Sequence, residues 1–313
     1  MDTVLITGGA GFIGSHIAEY FQGRARVRVL DNFRSGRREN LADLDVELVE
    51  GSITDGDVVQ EAVRGVDYVF HLAAMISVPE SMQDPQECVR INTLGLLNVL
   101  NASRDAGVRK LCFSSSCAIY GNDPRVPKDE TMAPSPASPY AMTKLDGEYY
   151  CGLFQDRGWL QTVCLRYFNV FGPRQDPASA YAAAIPIFID RAVRNDPITI
   201  FGDGEQTRDF VFVQDVAAAN VHFATRTDAH GVFNVGCGQA VTVNALARRI
   251  VDELGSRSEI RHAPERAGDV RHSRASIALA QKAAFSPTWT FEDGLSKTIQ
   301  WYRGEKTNAR CKA

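Results

Sequence analysis

The chain has 313 residues, 44% of them hydrophobic and 23% charged, an ordinary soluble composition long enough for one large domain or two moderate ones. Its formal net charge of −4 excludes a general electrostatic pull toward nucleic acid or an anionic membrane, so an anionic ligand has to be met by a local group of arginines. Seven cysteines, an odd number without a CxxC pair, argue against a disulfide framework, and six scattered histidines offer no metal-ligand spacing.

The first β-rich run, "TVLIT" at 3–7, leaves no room for a signal peptide, and no apolar stretch approaches membrane-spanning length, since "YAAAIPIFI" is short and carries Pro186. A cytoplasmic protein is expected. Further strands are predicted at 26–31 ("RVRVLD"), 46–50, 67–72, 109–114 and 161–168, several apolar almost throughout, as strands covered on both faces should be. Helical patterns at 12–22, 56–64, 85–106 and 139–157 separate them. This alternation predicts an α/β fold with a doubly wound parallel sheet over 1–168. Beyond it, short strands in "ITIFG", "FVFV" and "VFNVG" mix with helices near 184–194, 214–226, 241–254 and 291–303. They form a smaller mixed α/β lobe over 169–313, with 209–236 able to return to the main sheet.

The turn after the first strand reads "ITGGAGFIGSH" and places Gly8, Gly11 and Gly14 at the opening of a helix. Glycines there permit a tight turn, close approach of backbone N–H groups to a pyrophosphate, and close helix packing, as in a Rossmann-type dinucleotide site. Asp31 ends the second strand, where a carboxylate accepts both ribose hydroxyls and repels a 2′-phosphate, which favours NAD over NADP. Arg34, Arg37 and Arg38 lie close enough to weaken that preference. In "SPYAMTK" (138–144), Ser138 is the expected N-cap and Pro139 suits the first turn. Tyr140 and Lys144 then share one helix face, and the ammonium and the positive helix end both favour the phenolate.

Taken in order, TGGAGFIG, DNFRSG, HLAA, SSSCAIYG, SPYAMTK and LRYFNVFGPRQDP resemble the extended short-chain dehydrogenase/reductase family over about residues 3–300, and within it the nucleotide-sugar 4-epimerases. The resemblance implies a bound NAD that removes a hydride from the sugar's C4 and returns it to the other face. It implies Tyr140 as the base at the C4 hydroxyl, Lys144 as the residue that lowers the tyrosine's pKa and holds the nicotinamide ribose, and Ser116 as the hydroxyl sharing the C4 oxygen's proton. Cofactor contacts are implied at Gly8, Gly11, Phe12, Ile13 and Gly14 in the pyrophosphate turn, at Asp31 and Asn32 by the adenosine ribose, and at Ser52 and Ile53 by the adenine. Ala73 in HLAA is a further one, and Asn92 is placed on the pyrophosphate or nicotinamide side. Ser52 stands where the family usually carries aspartate, and Ile76 where some galactose epimerases carry lysine. Dehydratases and decarboxylases of the family have an extra carboxylate beside the hydroxyl residue; here Cys117 and Ala118 follow Ser116, so epimerisation is expected.

For the substrate, the resemblance implies Arg208 and Arg266 on the diphosphate, Asp269 on the uridine ribose, Asn169 on the diphosphate and sugar, and Ser77 on the sugar. Arg271 and Arg274 are expected at the surface or rim. Ser273 stands where epimerases restricted to glucose and galactose nucleotides carry a bulky tyrosine, and Ala182, Ala183 and Ala184 are similar to the N-acetylhexosamine epimerases. The expected reaction is therefore interconversion of UDP-N-acetylglucosamine and UDP-N-acetylgalactosamine, with some activity on the non-acetylated pair. The alternatives kept open are a UDP-glucose 4-epimerase alone and a catalytically silent NAD(H) sensor. By the same resemblance, apolar stripes on the helices at 85–106 and 139–157 imply a homodimer.

Overall fold

The protein is described by a computed structural model over residues 1–177, 183–265 and 270–311. The first half runs β1 (Thr3–Thr7), α1 (Phe12–Tyr20), β2 (Arg26–Asp31), β3 (Glu47–Glu50), α2 (Gly56–Ala62), β4 (Tyr68–His71), α3 (Val78–Gln83), α4 (Pro85–Val89), α5 (Gly95–Asp105), β5 (Lys110–Ser116), α6 (Pro139–Asp156) and β6 (Gln161–Tyr167). The second half adds β7 (Asn169–Phe171), α7 (Ala184–Arg194), β8 (Ile198–Phe201), β9 (Thr207–Arg208), β10 (Phe210–Phe212), α8 (Val213–Thr225), β11 (Gly231–Val235), β12 (Val241–Thr242), α9 (Val243–Leu254), β13 (Ile260–Ala263), α10 (Ala278–Lys282) and α11 (Phe291–Cys311).

Seven strands form one parallel sheet in the order β3-β2-β1-β4-β5-β6-β11. Its strands are apolar because both faces are covered. Ile17 and Ala18 of α1 and Val216 and Phe223 of α8 pack on one face, and Val59 of α2, Leu100 of α5 and Phe154 of α6 on the other. A separate core in the second half gathers Phe171, Phe188, Phe210, Phe212, Leu246 and Phe291. No helix among the described residues is long and apolar enough to cross a membrane.

The chain does re-enter the main sheet, but later than expected. β10 pairs with β7 outside it, so the return begins at α8 and is completed by β11, whose Gly231–Val235 lies in register with Val163–Tyr167. The helix expected over 85–106 is α4 and α5 joined by a π turn at Arg90–Leu94. The short α3 was not foreseen: Ser77 caps it by accepting from Glu80 N at 3.1 Å, with Pro79 in its first turn.

α6 lies unusually close to β5, because Gly147 faces the Phe113 ring: a Cβ at 147 would stand 2.3 Å from Phe113 Cζ. Gly147→Ala is therefore expected to overpack this contact and cost about 1–3 kcal/mol. A lower urea midpoint at unchanged m value is the expected signature; an unchanged midpoint would show that the helix has slack.

Candidate active site

The strand order reverses between β1 and β4, and a cleft of about 590 Å³ opens over the carboxyl ends of these strands. Gly8, Gly11, Phe12, Ile13, Gly14, Asp31, Asn32, Ser52, Ile53, Ala73, Tyr140 and Lys144 all line it. Its floor depends on missing side chains. Gly8 has φ +71°, and a Cβ there would stand 2.8 Å from Ala73 N; one on Gly14 would stand 2.3 Å from the Gly8 carbonyl oxygen. α1 starts after Gly11 without a side-chain cap, which leaves its first-turn amides for an anion.

Asp31 is buried, with Oδ2 accepting from Ala10 N at 2.9 Å and Oδ1 from Phe33 N at 2.8 Å. Burial raises its pKa against those two bonds, and each oxygen keeps a free lone pair for a hydroxyl. The neighbouring arginines are committed elsewhere: Arg34 to Glu80 at 2.6 Å, Arg37 to Asp176 at 2.5 Å and Arg38 to Glu50. Gln175 adds a buried Oε1 without a partner among the described residues at the cleft wall. Glycine cradle, bare helix start, ribose-facing carboxylate and unmet acceptor together fit a dinucleotide without a 2′-phosphate.

Ser52 shares a 2.8 Å hydrogen bond with Thr54 Oγ1. Asn92 does not face the cleft: its Oδ1 accepts from Met75 N at 2.7 Å, while its Nδ2 donates to Met75 O and Thr143 Oγ1, both at 3.0 Å. It holds the 73–77 loop from behind. Sequence reasoning passed over His71 in HLAA. Its Nδ1 shares a 2.9 Å bond with Thr7 Oγ1, which also accepts from Ala73 N at 3.3 Å, so one buried pair fixes the cofactor loop. Burial, with Lys144 nearby, pushes His71 down to about 3, and it stays neutral.

Tyr140 and Lys144 meet as the spacing required. Ser138 Oγ caps α6 by accepting from Ala141 N at 3.2 Å, and the Ser116 side chain lies near enough to the Tyr140 phenol to favour its ionised form. Ser116 Oγ also accepts from Ala118 N at 3.2 Å. Lys144 Nζ donates to the Ser114 carbonyl at 2.7 Å and lies 5.9 Å from the Tyr140 ring centroid. The expected acidification of the phenol is not produced by the chain's own groups. Burial pushes Tyr140 up to about 12, opposed by the nearby Ser116 hydroxyl, and pulls Lys144 down to about 8. The Ser114 hydroxyl pairs with the Tyr167 hydroxyl at 2.9 Å.

A second cavity of about 750 Å³ is lined by Asn169, Arg208, Arg191, Gln206, Phe210 and Ala184, and Ala183 lines both cavities. Asn169 N and Nδ2 both donate to the Asp209 carbonyl, at 3.0 and 3.1 Å. Gln206, which the sequence did not single out, is 8% exposed, and its buried Oε1 has no hydrogen-bond partner among the described residues. Ser77 and Ser273 line neither cavity: the first is spent as the α3 cap, and the second is buried with its N bonded to Thr207 O at 3.1 Å. Arg271 is half exposed and paired with Asp203 at 2.7 Å. Arg266, Asp269 and Ala182 lie outside the described residues. Among the described residues no cluster of His, Cys, Asp or Glu is placed to hold a metal ion.

Comparison with known proteins follows the same geometry. The model of the NAD dependent epimerase/dehydratase family matches residues 4–236. A putative UDP-glucose 4-epimerase of Methanocaldococcus jannaschii is 37% identical over 303 residues, 96% of this chain and 98% of that protein. The structure of a UDP-N-acetylglucosamine 4-epimerase from Methanobrevibacter ruminantium, in complex with UDP-N-acetylmuramic acid, superposes with TM-score 0.94 at 39% identity, covering 97% of this chain and 99% of that one. A Thermus thermophilus UDP-glucose 4-epimerase in complex with NAD gives TM-score 0.89 at 38% identity, covering 96% and 99%.

Proposed function

The chain belongs to the NAD-dependent epimerase/dehydratase family, and on that premise we propose that it inverts C4 of UDP-sugars through a transient 4-keto sugar, with UDP-N-acetylglucosamine and UDP-N-acetylgalactosamine as its main pair. The observation that carries the reading is Tyr140 and Lys144 lining the dinucleotide cleft one helical turn apart, with Lys144 anchored on the Ser114 carbonyl and Ser116 near the phenol in a turn without a carboxylic acid. Burial pushes the Cys117 thiol up to about 12, so it remains a neutral side chain and not a proton carrier for elimination. That separates an epimerase from the dehydratases that share the family.

NAD, when bound, supplies the two-electron acceptor and a positive charge near the phenol. The chain's residues do the rest. Tyr140 Oη takes the C4 hydroxyl proton and returns it, Ser116 Oγ shares that proton, and Lys144, fixed on the Ser114 carbonyl, supplies a cation on the same helix face. The uncapped α1 start and Asp31 orient the dinucleotide. Arg208 and Asn169 are the groups for the diphosphate, and Gln206 Oε1 awaits a donor from the nucleoside. Tyr140→Phe keeps the ring and removes the proton acceptor, so turnover is expected to fall by about 10²–10⁴-fold with the cofactor still bound. A fully active phenylalanine variant would end the proposal.

The acetylated preference is supported by small residues, Ser273 and the cavity-lining Ala183 and Ala184, where a bulkier side chain would take the space of an acetamido group. That Ser273 lines neither cavity favours the second reading, a UDP-glucose 4-epimerase alone. Ser273→Tyr decides: under the first reading kcat/KM for UDP-N-acetylglucosamine drops roughly 100-fold while UDP-glucose changes little, and under the second both stay alike.

A homodimer is supported by apolar side chains left in water on adjacent helices: Val89 at the end of α4, Leu94 in the π turn, and Met142, Tyr149 (65% exposed) and Leu153 on α6. Sedimentation at micromolar concentration should give twice the chain mass, shifting toward the monomer in Tyr149→Glu. A wild-type monomer would remove this assignment.

A further inference from the structure

We propose that Glu148 and Arg166 form a buried positioning pair that fixes both flanks of Ser116, one helical turn from Lys144, and so sets the geometry of the proton-transfer group; this rests on the epimerase reading above. Glu148 stands one helical turn beyond Lys144 and two beyond Tyr140, on the same face of α6. Its carboxylate takes a two-pronged bond from Arg166, Nε to Oε1 at 2.8 Å and NH2 to Oε2 at 2.7 Å, and Oε1 also accepts from the Ser115 hydroxyl. Arg166 in turn donates to Tyr120 Oη at 2.9 Å, and Tyr120 donates to Asn234 Oδ1 at 2.7 Å.

Ser115 precedes Ser116, and Tyr120 closes the short turn Cys117–Tyr120 that Ser116 caps. The pair therefore holds the chain on either side of the Ser116 hydroxyl. Stability alone is a weak reason for it, because burying two charges costs more desolvation than an apolar pair of like volume. Both side chains are at most 5% exposed, and the contacts they make converge on the catalytic turn.

Lys144 also sits beside Tyr140, His71, Cys88 and Cys151. His71 is neutral, and burial pushes Tyr140 and Cys88 up, which keeps those two protonated. Cys88, Cys151 and Glu148 support the Lys144 ammonium against the burial that pulls it down to about 8; Glu148 is the carboxylate among them, with Arg166 as the cation behind it. Without that anion the ammonium loses its proton at a lower pH.

Glu148→Gln preserves shape and acceptor and removes the charge. We expect kcat for UDP-sugar interconversion to fall about tenfold with KM changed by less than about twofold, and the alkaline limb of kcat to move down by about one pH unit. In the protein as purified, NMR of 13C-labelled lysine should show Lys144 titrating lower by a similar amount. Should Glu148→Gln fail to fold, the double variant Glu148→Gln, Arg166→Met leaves no lone buried charge and is expected to melt normally with the same loss in kcat. Wild-type kcat with an unmoved pH limb in either variant overturns the assignment, as does a loss of activity that only tracks the unfolded fraction. If the wild type does not interconvert UDP-sugars, the epimerase reading fails, while the lysine titration still reports on the pair.

Discussion

The contact on which the site depends is the 2.7 Å hydrogen bond from Lys144 Nζ to the Ser114 carbonyl. It joins a helix to the end of a central strand, and it forms because the helix comes close: Gly147 gives the Phe113 ring its space one turn further along. The ammonium then rests 5.0 Å above that same ring, within cation–π range. Once α6 is held there, a repeat of four residues brings Tyr140, Lys144 and Glu148 to the last residues of β5, each against a different serine. Consecutive residues of a strand point to opposite faces. Ser114, Ser115 and Ser116 are accordingly engaged in three ways, by a carbonyl to Lys144, by a hydroxyl to Glu148, and by a hydroxyl that caps the following turn beside Tyr140.

The electrostatics of this corner oppose the chemistry until a ligand arrives. Burial favours the neutral form of every titratable group, so the phenol climbs and the ammonium falls. The charges this corner keeps buried are met by partners: Lys144 by a carbonyl, Glu148 by Arg166, Asp31 by two backbone amides. The outer arginines at the adenosine end are treated differently. They are paired with exposed carboxylates, where each pair contributes little to stability but removes a cation from the ribose-facing end of the cleft.

What could be read in the chain beforehand was whatever is encoded over one turn or one strand. The alternation of apolar runs and helical stretches located nearly every element of the main sheet. The glycine turn, Asp31 and the Tyr140–Lys144 spacing located most of the cleft, since each depends on neighbours within a few residues or on a strand end. Asn92 was misplaced because its partners, Met75 and Thr143, lie 17 and 51 residues away, and only the packing of the π turn against α6 shows that the amide is already spent. Ser77 has the same lesson: a serine before proline is as good a helix cap as a sugar contact, and the backbone chose the cap. Glu148 and Arg166 read as a polar helix position and a strand arginine, and no local pattern tells that they meet in the interior.

The interleaving of the chain supplies the remaining constraint, the fixed placement of substrate groups relative to the cofactor cleft. Asp209 is fully buried, and its carboxylate accepts from Cys237 N at 2.8 Å and from Gly238 N and Ala275 N at 2.9 Å. Cys237 and Gly238 are separated by one residue from the end of β11, the seventh strand of the main sheet, while the carbonyl of Asp209 carries Asn169 of the second cavity. One residue therefore ties the sheet edge to the lobe, with Arg208 and Phe210 on either side of it in the cavity wall. Burial raises its carboxyl to about 6 despite three amide donors, so the ionised form is tolerated rather than preferred, and the stability it contributes is largest in acid and is lost as pH rises toward 6. The clamp holds the sheet edge and the wall of the second cavity at a fixed spacing. Hydride transfer within one site needs that spacing to be held to a fraction of an ångström, and two lobes joined only by a linker would not hold it.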